Sequence, residues 1–231
     1  FFGLSHSPII VEDAEKLEEA KEIIRKKQVE GLFTNKPLQG YRLPDIEQLK
    51  DPYLHEMSLV VTERCNLRCC YCPYSCSSAS SQYRTHRNFD MPIGIANQAL
   101  DFFYKHASTD TGLAFYGGEP LLNFTLVKYA VKEIKRNMPD WSGFFTITTN
   151  FTVYSREIGD FLAENKFLLL VSLDGPEQVH DRYRKTVSGE NTCKAVITNL
   201  SDLKERHPQY FANFVLNNAV LAPPLDLDVV E

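Results

Sequence analysis

Met57-Ser-Leu-Val-Val-Thr-Glu-Arg-Cys65-Asn-Leu-Arg-Cys69-Cys-Tyr-Cys72-Pro73 joins a short apolar, β-branched run to a loop crowded with thiols. Met57 to Thr62 reads as a strand, so the cysteines fall just past its C-terminal end. Cys65, Cys69 and Cys72 follow the spacing Cys-x3-Cys-x2-Cys. Three thiolates on one tight loop can hold three irons of a cubane cluster and leave the fourth iron without a protein ligand. Ligation by four cysteines makes an electron-transfer centre, whereas an open position is what a metal site keeps when a substrate must bind it. A structural zinc site that recruits Cys76 is the alternative, in a binding module without turnover. Such sites usually join two separated knuckles or pair cysteine with histidine, and no histidine lies between Cys65 and Cys76. A disulfide framework fits less well, because the thiols crowd one short segment and Cys193 stands alone. Cys70, Cys76 and Cys193 are expected to be small buried or spare thiols.

The chain has 231 residues, 43% hydrophobic and 24% charged, enough to bury a sizeable core in one α/β domain with an appendage. A net charge of −5 offers phosphate backbones no general attraction, so nucleic acid is not an expected partner. Phe1 to Val11 carries neither a basic leader nor a sustained apolar region, and no uncharged apolar window of ~18 residues spans a membrane. With clustered thiols, a reducing cytoplasm is the expected location. The chain begins with Phe1 rather than Met and stops at Val229-Val-Glu231 in what reads as a first helical turn, so a fragment is expected.

Residues 12 to 29 place Ala14, Leu17, Ala20, Ile23 and Ile24 at helical spacing, with Gly31 beyond as a stop. A connector from Pro37 to Pro52 follows, so 1–52 is read as a helical N-terminal segment and 53–231 as the main domain. From Met57 onward strand and helix patterns alternate. Strands are predicted at Met57 to Thr62, Gly112 to Tyr116, Phe144 to Thr149, Phe167 to Leu173 and Asn213 to Leu221. Helices are predicted at Pro92 to His106, Leu122 to Met138, Ser155 to Glu164 and Thr192 to Glu205. Such alternation implies a parallel sheet, as a barrel or as an open doubly wound sheet. Four motifs fall just past consecutive strand ends: Cys65, Gly117-Gly118-Glu119-Pro120, Thr149-Asn150 and Ser172-Leu-Asp-Gly175. Parallel α/β folds carry their active sites at that edge.

Read alone, Phe115-Tyr-Gly-Gly-Glu-Pro120 is a turn into a helix, and Ser172-Leu-Asp-Gly-Pro176 with His180-Asp-Arg-Tyr-Arg-Lys185 is a turn and a solvated helix end. Together with the cysteine spacing they resemble the radical S-adenosylmethionine (SAM) enzymes, in the subgroup with a SPASM extension that includes anaerobic sulfatase-maturating enzymes and peptide thioether synthases. The resemblance covers about Gly31 to the end of the chain. It implies a partial (β/α)6 barrel that binds a [4Fe–4S] cluster through Cys65, Cys69 and Cys72, and SAM at the open iron. It further implies that Gly117, Gly118 and Glu119 receive the SAM ammonium, Ser172 its ribose, Arg184 its carboxylate, and Tyr71 with Val220 or Leu221 its adenine. A guanidinium fork suits a carboxylate well. Asn150 is a further contact, although Phe151 stands where the subgroup has glycine, which puts the backbone of that turn in doubt.

What the resemblance implies for activity is hydrogen abstraction from a peptide or protein substrate, supplied with electrons by an external donor such as flavodoxin or ferredoxin. A thioether crosslink in a ribosomally made peptide is the expected product, with formylglycine formation or peptide epimerisation as alternatives. SPASM extensions hold auxiliary clusters on later cysteines, and after Cys193 this chain has none.

Overall fold

The computed structural model describes Glu22, Arg25, Lys26 and Val29, then residues 54–75 and 86–222. The chain divides into two units, Phe1–Lys50 and Asp51–Glu231. In the first, the four described residues are helical and exposed, and Arg25 pairs with Glu22 at 3.1 Å. Cys76 lies outside the described residues.

The second unit carries five strands: β1 Leu54–Thr62, β2 Ala107–Gly117, β3 Phe145–Thr149, β4 Leu168–Ser172 and β5 Val215–Asn218. The helices between them are α1 Ile93–His106, α2 Phe124–Asn137, α3 Arg156–Glu164, α4 Glu177–Tyr183, α5 Cys193–Arg206 and α6 Pro208–Phe214. All four strand pairings are parallel. The sheet order is β1-β2-β3-β4-β5, so each crossover steps to the next neighbour. A doubly wound sheet reverses direction at a switch point. Here no reversal occurs, and the sheet is wound one way like a barrel wall.

Register divides the strands into two faces. Leu59, Phe115, Ile147, Leu169 and Val215 align in one row, and all but Val215 are fully buried within the core. Behind this row Phe145 stacks on Phe167 with centroids 5.3 Å apart, and Phe115 lies 5.7 Å from Phe167. Each such ring removed from water contributes about 1.5–3 kcal/mol, so the strand ends stand on a stiff base. The opposite face carries Val60, Tyr116 and Leu216, about half exposed, with Thr146, Thr148 and Leu170 partly so.

Several boundaries differ from the sequence reading. β2 begins at Ala107, directly after α1; its polar start, Ala-Ser-Thr-Asp-Thr111, masks the strand, and Thr111 Oγ1 ties it to the Leu54 carbonyl at 2.5 Å. The helix expected from Leu122 opens as a 3-10 turn over Pro120–Asn123, with Pro at its start. The fifth strand is short because Asn213 and Phe214 belong to α6, which starts on Pro208. Helix α4, with seven residues, lies where only a turn and helix end are expected.

Candidate functional site

The cysteine loop is held by pairing across the mouth of the sheet. Arg68 N–H donates to Lys185 O at 2.8 Å, Cys70 N–H to Tyr183 O at 3.0 Å and Val187 N–H to Asn66 O at 3.2 Å. Leu67 and Thr186 form an antiparallel bridge. The segment after α4 thus acts as a splint for the loop. No sequence motif points to this pairing, because it joins segments more than a hundred residues apart without regular strand character.

Cys65, Cys69 and Cys72 share this loop; Cys65 feels the charge of both other thiols and Cys69 that of Cys72. Burial pushes the Cys65 thiol up to about 11, with the Leu67 amide opposing the rise. Burial also raises Cys69, against the pull of the Arg184 guanidinium. Cys70 is exposed and Cys193 is buried at the start of α5. Among the described residues no three His, Cys, Asp or Glu side chains already close on a metal-sized point. The donor set nevertheless suits a cubane: three soft thiols on one splinted loop, at the strand-end edge, with hydrogen-bond donors behind them.

The Gly-Gly turn is pressed against the base of this loop. A Cβ on Gly117 would stand 2.2 Å from the Thr62 carbonyl oxygen, and one on Gly118 would stand 2.3 Å from that of Arg64. Gly118 N–H donates to Thr62 O at 2.9 Å and Glu119 N–H to Arg64 O at 2.8 Å. The close approach that the glycines permit is therefore to the chain's own backbone. Glu119 is 0% exposed. Its Oε1 accepts from Thr149 Oγ1 at 2.6 Å and Leu121 N–H at 3.1 Å, and its Oε2 accepts from Asn150 N–H at 2.7 Å. The expectation that this carboxylate faces a ligand ammonium meets an inward side chain that bolts the turn to β3. Burial pushes its pKa up to about 7, against those hydrogen bonds.

Asn150 also turns inward. Its Nδ2 donates to Asn66 Oδ1 at 3.0 Å and lies 4.0 Å from Cys65 Sγ, while its Oδ1 accepts from Thr152 N–H at 2.9 Å and Thr152 Oγ1 at 2.7 Å. Its side chain serves the cysteine loop. Phe151 keeps the backbone that the sequence reading doubts: its φ is 55°, and its ring is fully buried. Left-handed backbone costs a non-glycine residue about 1–2 kcal/mol, which burial of the ring offsets.

On the other side of the mouth the organiser is Asp174, which the sequence reading treats only as part of a turn. It is 0% exposed. Its Oδ2 accepts from Tyr71 O–H at 2.5 Å and Arg184 Nε at 2.9 Å, and its Oδ1 accepts from Val220 N–H at 3.0 Å. One carboxylate thereby links the cysteine loop, the end of α4 and the chain beyond β5. The Arg184 guanidinium lies 5.4 Å from the Tyr71 ring centroid, and its Nη1 is 3.9 Å from Cys69 Sγ. The Tyr71 ring, expected beside adenine, is engaged with Arg184 and, at 6.0 Å, with Tyr183. His180 supports the turn from below: Asp174 N–H donates to its Nδ1 at 3.3 Å and its Nε2 meets Thr192 Oγ1 at 3.0 Å, while burial lowers its pKa. Ser172 ends β4 nearly buried, opposite Asn218. Leu221 lies past β5 and is 52% exposed, so it belongs to no core.

The chain is similar to several known proteins. The model of the Radical SAM superfamily matches residues 59–225. A cysteine-type anaerobic sulfatase-maturating enzyme of Clostridium novyi is 29% identical over 161 residues, which cover 68% of this chain and 42% of that protein. The radical SAM cyclopropyl synthase TigE of Paramaledivibacter caminithermalis is 25% identical over 189 residues, covering 78% and 37%. The solved structure of native anSMEcpe with bound AdoMet and Cp18Cys peptide superposes with a TM-score of 0.58 at 25% identity, over 72% of this chain and 42% of that one. This chain thus spans less than half the length of each of these three proteins. With the family match over most of its second unit, and with the parallel strands and cysteine loop found there, the chain belongs to the Radical SAM superfamily, whose members work with a [4Fe–4S] cluster and S-adenosylmethionine.

Proposed function

We propose that Cys65, Cys69 and Cys72 hold a [4Fe–4S] cluster, that SAM binds beside it, and that the protein abstracts hydrogen from a peptide or protein substrate. The observation that carries this reading is the three-thiol loop splinted against the segment from Tyr183 to Val187, at the strand-end edge of a one-way parallel sheet. Together the bound groups supply a one-electron reductive cleavage that yields a 5′-deoxyadenosyl radical. The chain's own contribution is positional. Glu119 and the two glycines fix the turn under the cysteine loop, so the loop cannot drift from β2 and β3. Arg184, whose Nε is held by Asp174 and whose Nη1 faces Cys69 Sγ, keeps its remaining N–H donors for the SAM carboxylate. Ser172 at the end of β4 is assigned to the ribose, and the backbone of Tyr71 with exposed Leu221 to the adenine. The half-exposed Val60, Tyr116 and Leu216 give the barrel-side face an apolar lining for the substrate.

For the product, the finer reading is a thioether crosslink in a ribosomally made peptide, with electrons from a flavodoxin or ferredoxin. A second reading, conversion of a Cys or Ser side chain to formylglycine, is supported by relatives named as sulfatase-maturating enzymes. Anaerobic incubation of the reconstituted protein with SAM, dithionite and Cys-containing peptides separates them by mass. Loss of two hydrogens with sulfur retained marks the crosslink; exchange of sulfur for oxygen together with loss of two hydrogens marks formylglycine. Absence of any 5′-deoxyadenosine would overturn the radical reading itself.

A further inference from the structure

Of the three thiols, Cys69 alone has a permanent cation as its polar neighbour among the described residues. Cys65 Sγ meets the Leu67 amide at 3.4 Å and Asn150 Nδ2 at 4.0 Å, and Cys72 Sγ meets His86 Nε2 at 3.7 Å. Cys69 Sγ meets Arg184 Nη1 at 3.9 Å. The side chains of Arg184 and Asp174 are 8% and 0% exposed, so water and salt screen this charge weakly.

We infer that Arg184, besides any contact with a ligand, sets the reduction potential of the cluster held by Cys69, and that Asp174 is the positioning residue that aims and partly offsets its charge. The inference rests on the proposed function. Taking up one electron makes the cluster more negative. A buried cation at a ligand sulfur favours the reduced form, and an N–H directed at that sulfur does the same, so Arg184 raises the potential. Asp174 is an anion on the far side of Arg184, joined to Nε rather than to Nη1, so it lowers the potential by less. Its position is over-determined: Tyr71 and Val220 hold the carboxylate. The Arg184 backbone is held as well, its N–H donating to His180 O and its carbonyl accepting from Thr192 Oγ1, each at 2.9 Å. A fork fixed at both root and edge cannot swing away from Cys69 at little cost. The guanidinium would thus couple two events, receipt of the electron and seating of the SAM carboxylate, through one charge.

The test is a redox titration of the anaerobically reconstituted protein without SAM, using dithionite and viologen mediators and following the reduced cluster by electron paramagnetic resonance. Arg184→Gln should lower the midpoint potential and Asp174→Asn should raise it, while Arg184→Lys, which keeps the charge, should stay nearer the wild type than Arg184→Gln. A role confined to holding the loop would let water in and move Arg184→Gln and Asp174→Asn the same way, which would overturn the inference; so would an unchanged potential in Arg184→Gln. If Arg184→Gln fails to take up iron, Asp174→Asn against Arg184→Lys still decides, since no rise in the former overturns the inference. Wild-type protein that binds no iron overturns the proposed function and this inference with it, whereas iron uptake with shifts of one sign overturns this inference alone.

Discussion

Glu119 and Asp174 are both completely buried carboxylates at the mouth of the sheet, one under the β2–β3 side and one under the β4–β5 side, and they are satisfied in different ways. Glu119 is surrounded by neutral donors, two backbone amides and the Thr149 hydroxyl. Its pKa is pushed up to about 7 by burial, and it holds a turn against a loop. Asp174 is paired with a guanidinium that reaches a cysteine. The first arrangement provides mechanical support; the second brings a charge to the cysteine loop. An ion pair this deep is poor evidence for stability, because desolvation consumes most of the attraction. Its place beside Cys69 argues that it is there for function.

Breaking the second side should cost most. Asp174→Ala strands the buried Arg184 and should lower unfolding stability by about 3–5 kcal/mol, read from denaturant midpoints of the protein without cluster. A loss below about 1 kcal/mol would mean that Arg184 finds water and the two sides are alike.

The first side differs in its pH dependence. The Glu119 carboxyl titrates near 7 when folded and near 4.5 as an ordinary side chain. Between those values the folded chain binds the extra proton, so stability is fully present below about pH 4.5 and declines as pH rises through 7, by about 3 kcal/mol in all. Glu119→Gln should flatten that decline while costing about 1–3 kcal/mol at low pH, because its amide opposes an N–H donor. An unchanged slope in the variant would assign the decline to another group.

A smaller effect tests the pressed turn. Gly118→Ala places a methyl 2.3 Å from the Arg64 carbonyl oxygen and should cost about 1–3 kcal/mol. Gly94→Ala, in α1 with nothing within 4 Å, should gain about 0.5 kcal/mol. Equal shifts in the two would show that the turn is not close-packed on the cysteine loop.

Much of this architecture is legible in the sequence because it is locally encoded. β-branched and apolar runs mark β1, β3 and β4, and the strand-end position of each motif follows from them. Helices α4 and α6 are too short for periodicity and lie behind Pro176 and Pro208, which read as turn punctuation. The one-way strand order depends on crossovers that no local pattern encodes. In the site, the spacing of Cys65, Cys69 and Cys72 is visible, whereas the splint from Tyr183 to Val187 and the convergence of Tyr71, Arg184 and Val220 on Asp174 are long-range. Asp174 had a signal, an acid between Ser172 and Gly175, but an Asp-Gly turn explains it equally well. Glu119 and Asn150 illustrate the reverse case: their positions were legible, and their inward direction was not.

The central claim is the identity of the cluster ligands, and iron counting with SAM cleavage tests it most directly. Each of Cys65, Cys69, Cys70, Cys72 and Cys193 is replaced by Ala, reconstituted anaerobically, and assayed for iron and sulfide per chain and for 5′-deoxyadenosine. The account predicts that loss of Cys65, Cys69 or Cys72 abolishes both the cluster and cleavage, while loss of exposed Cys70 or of Cys193, buried at the start of α5, leaves both in place. Normal iron content and normal cleavage in Cys69→Ala would contradict it.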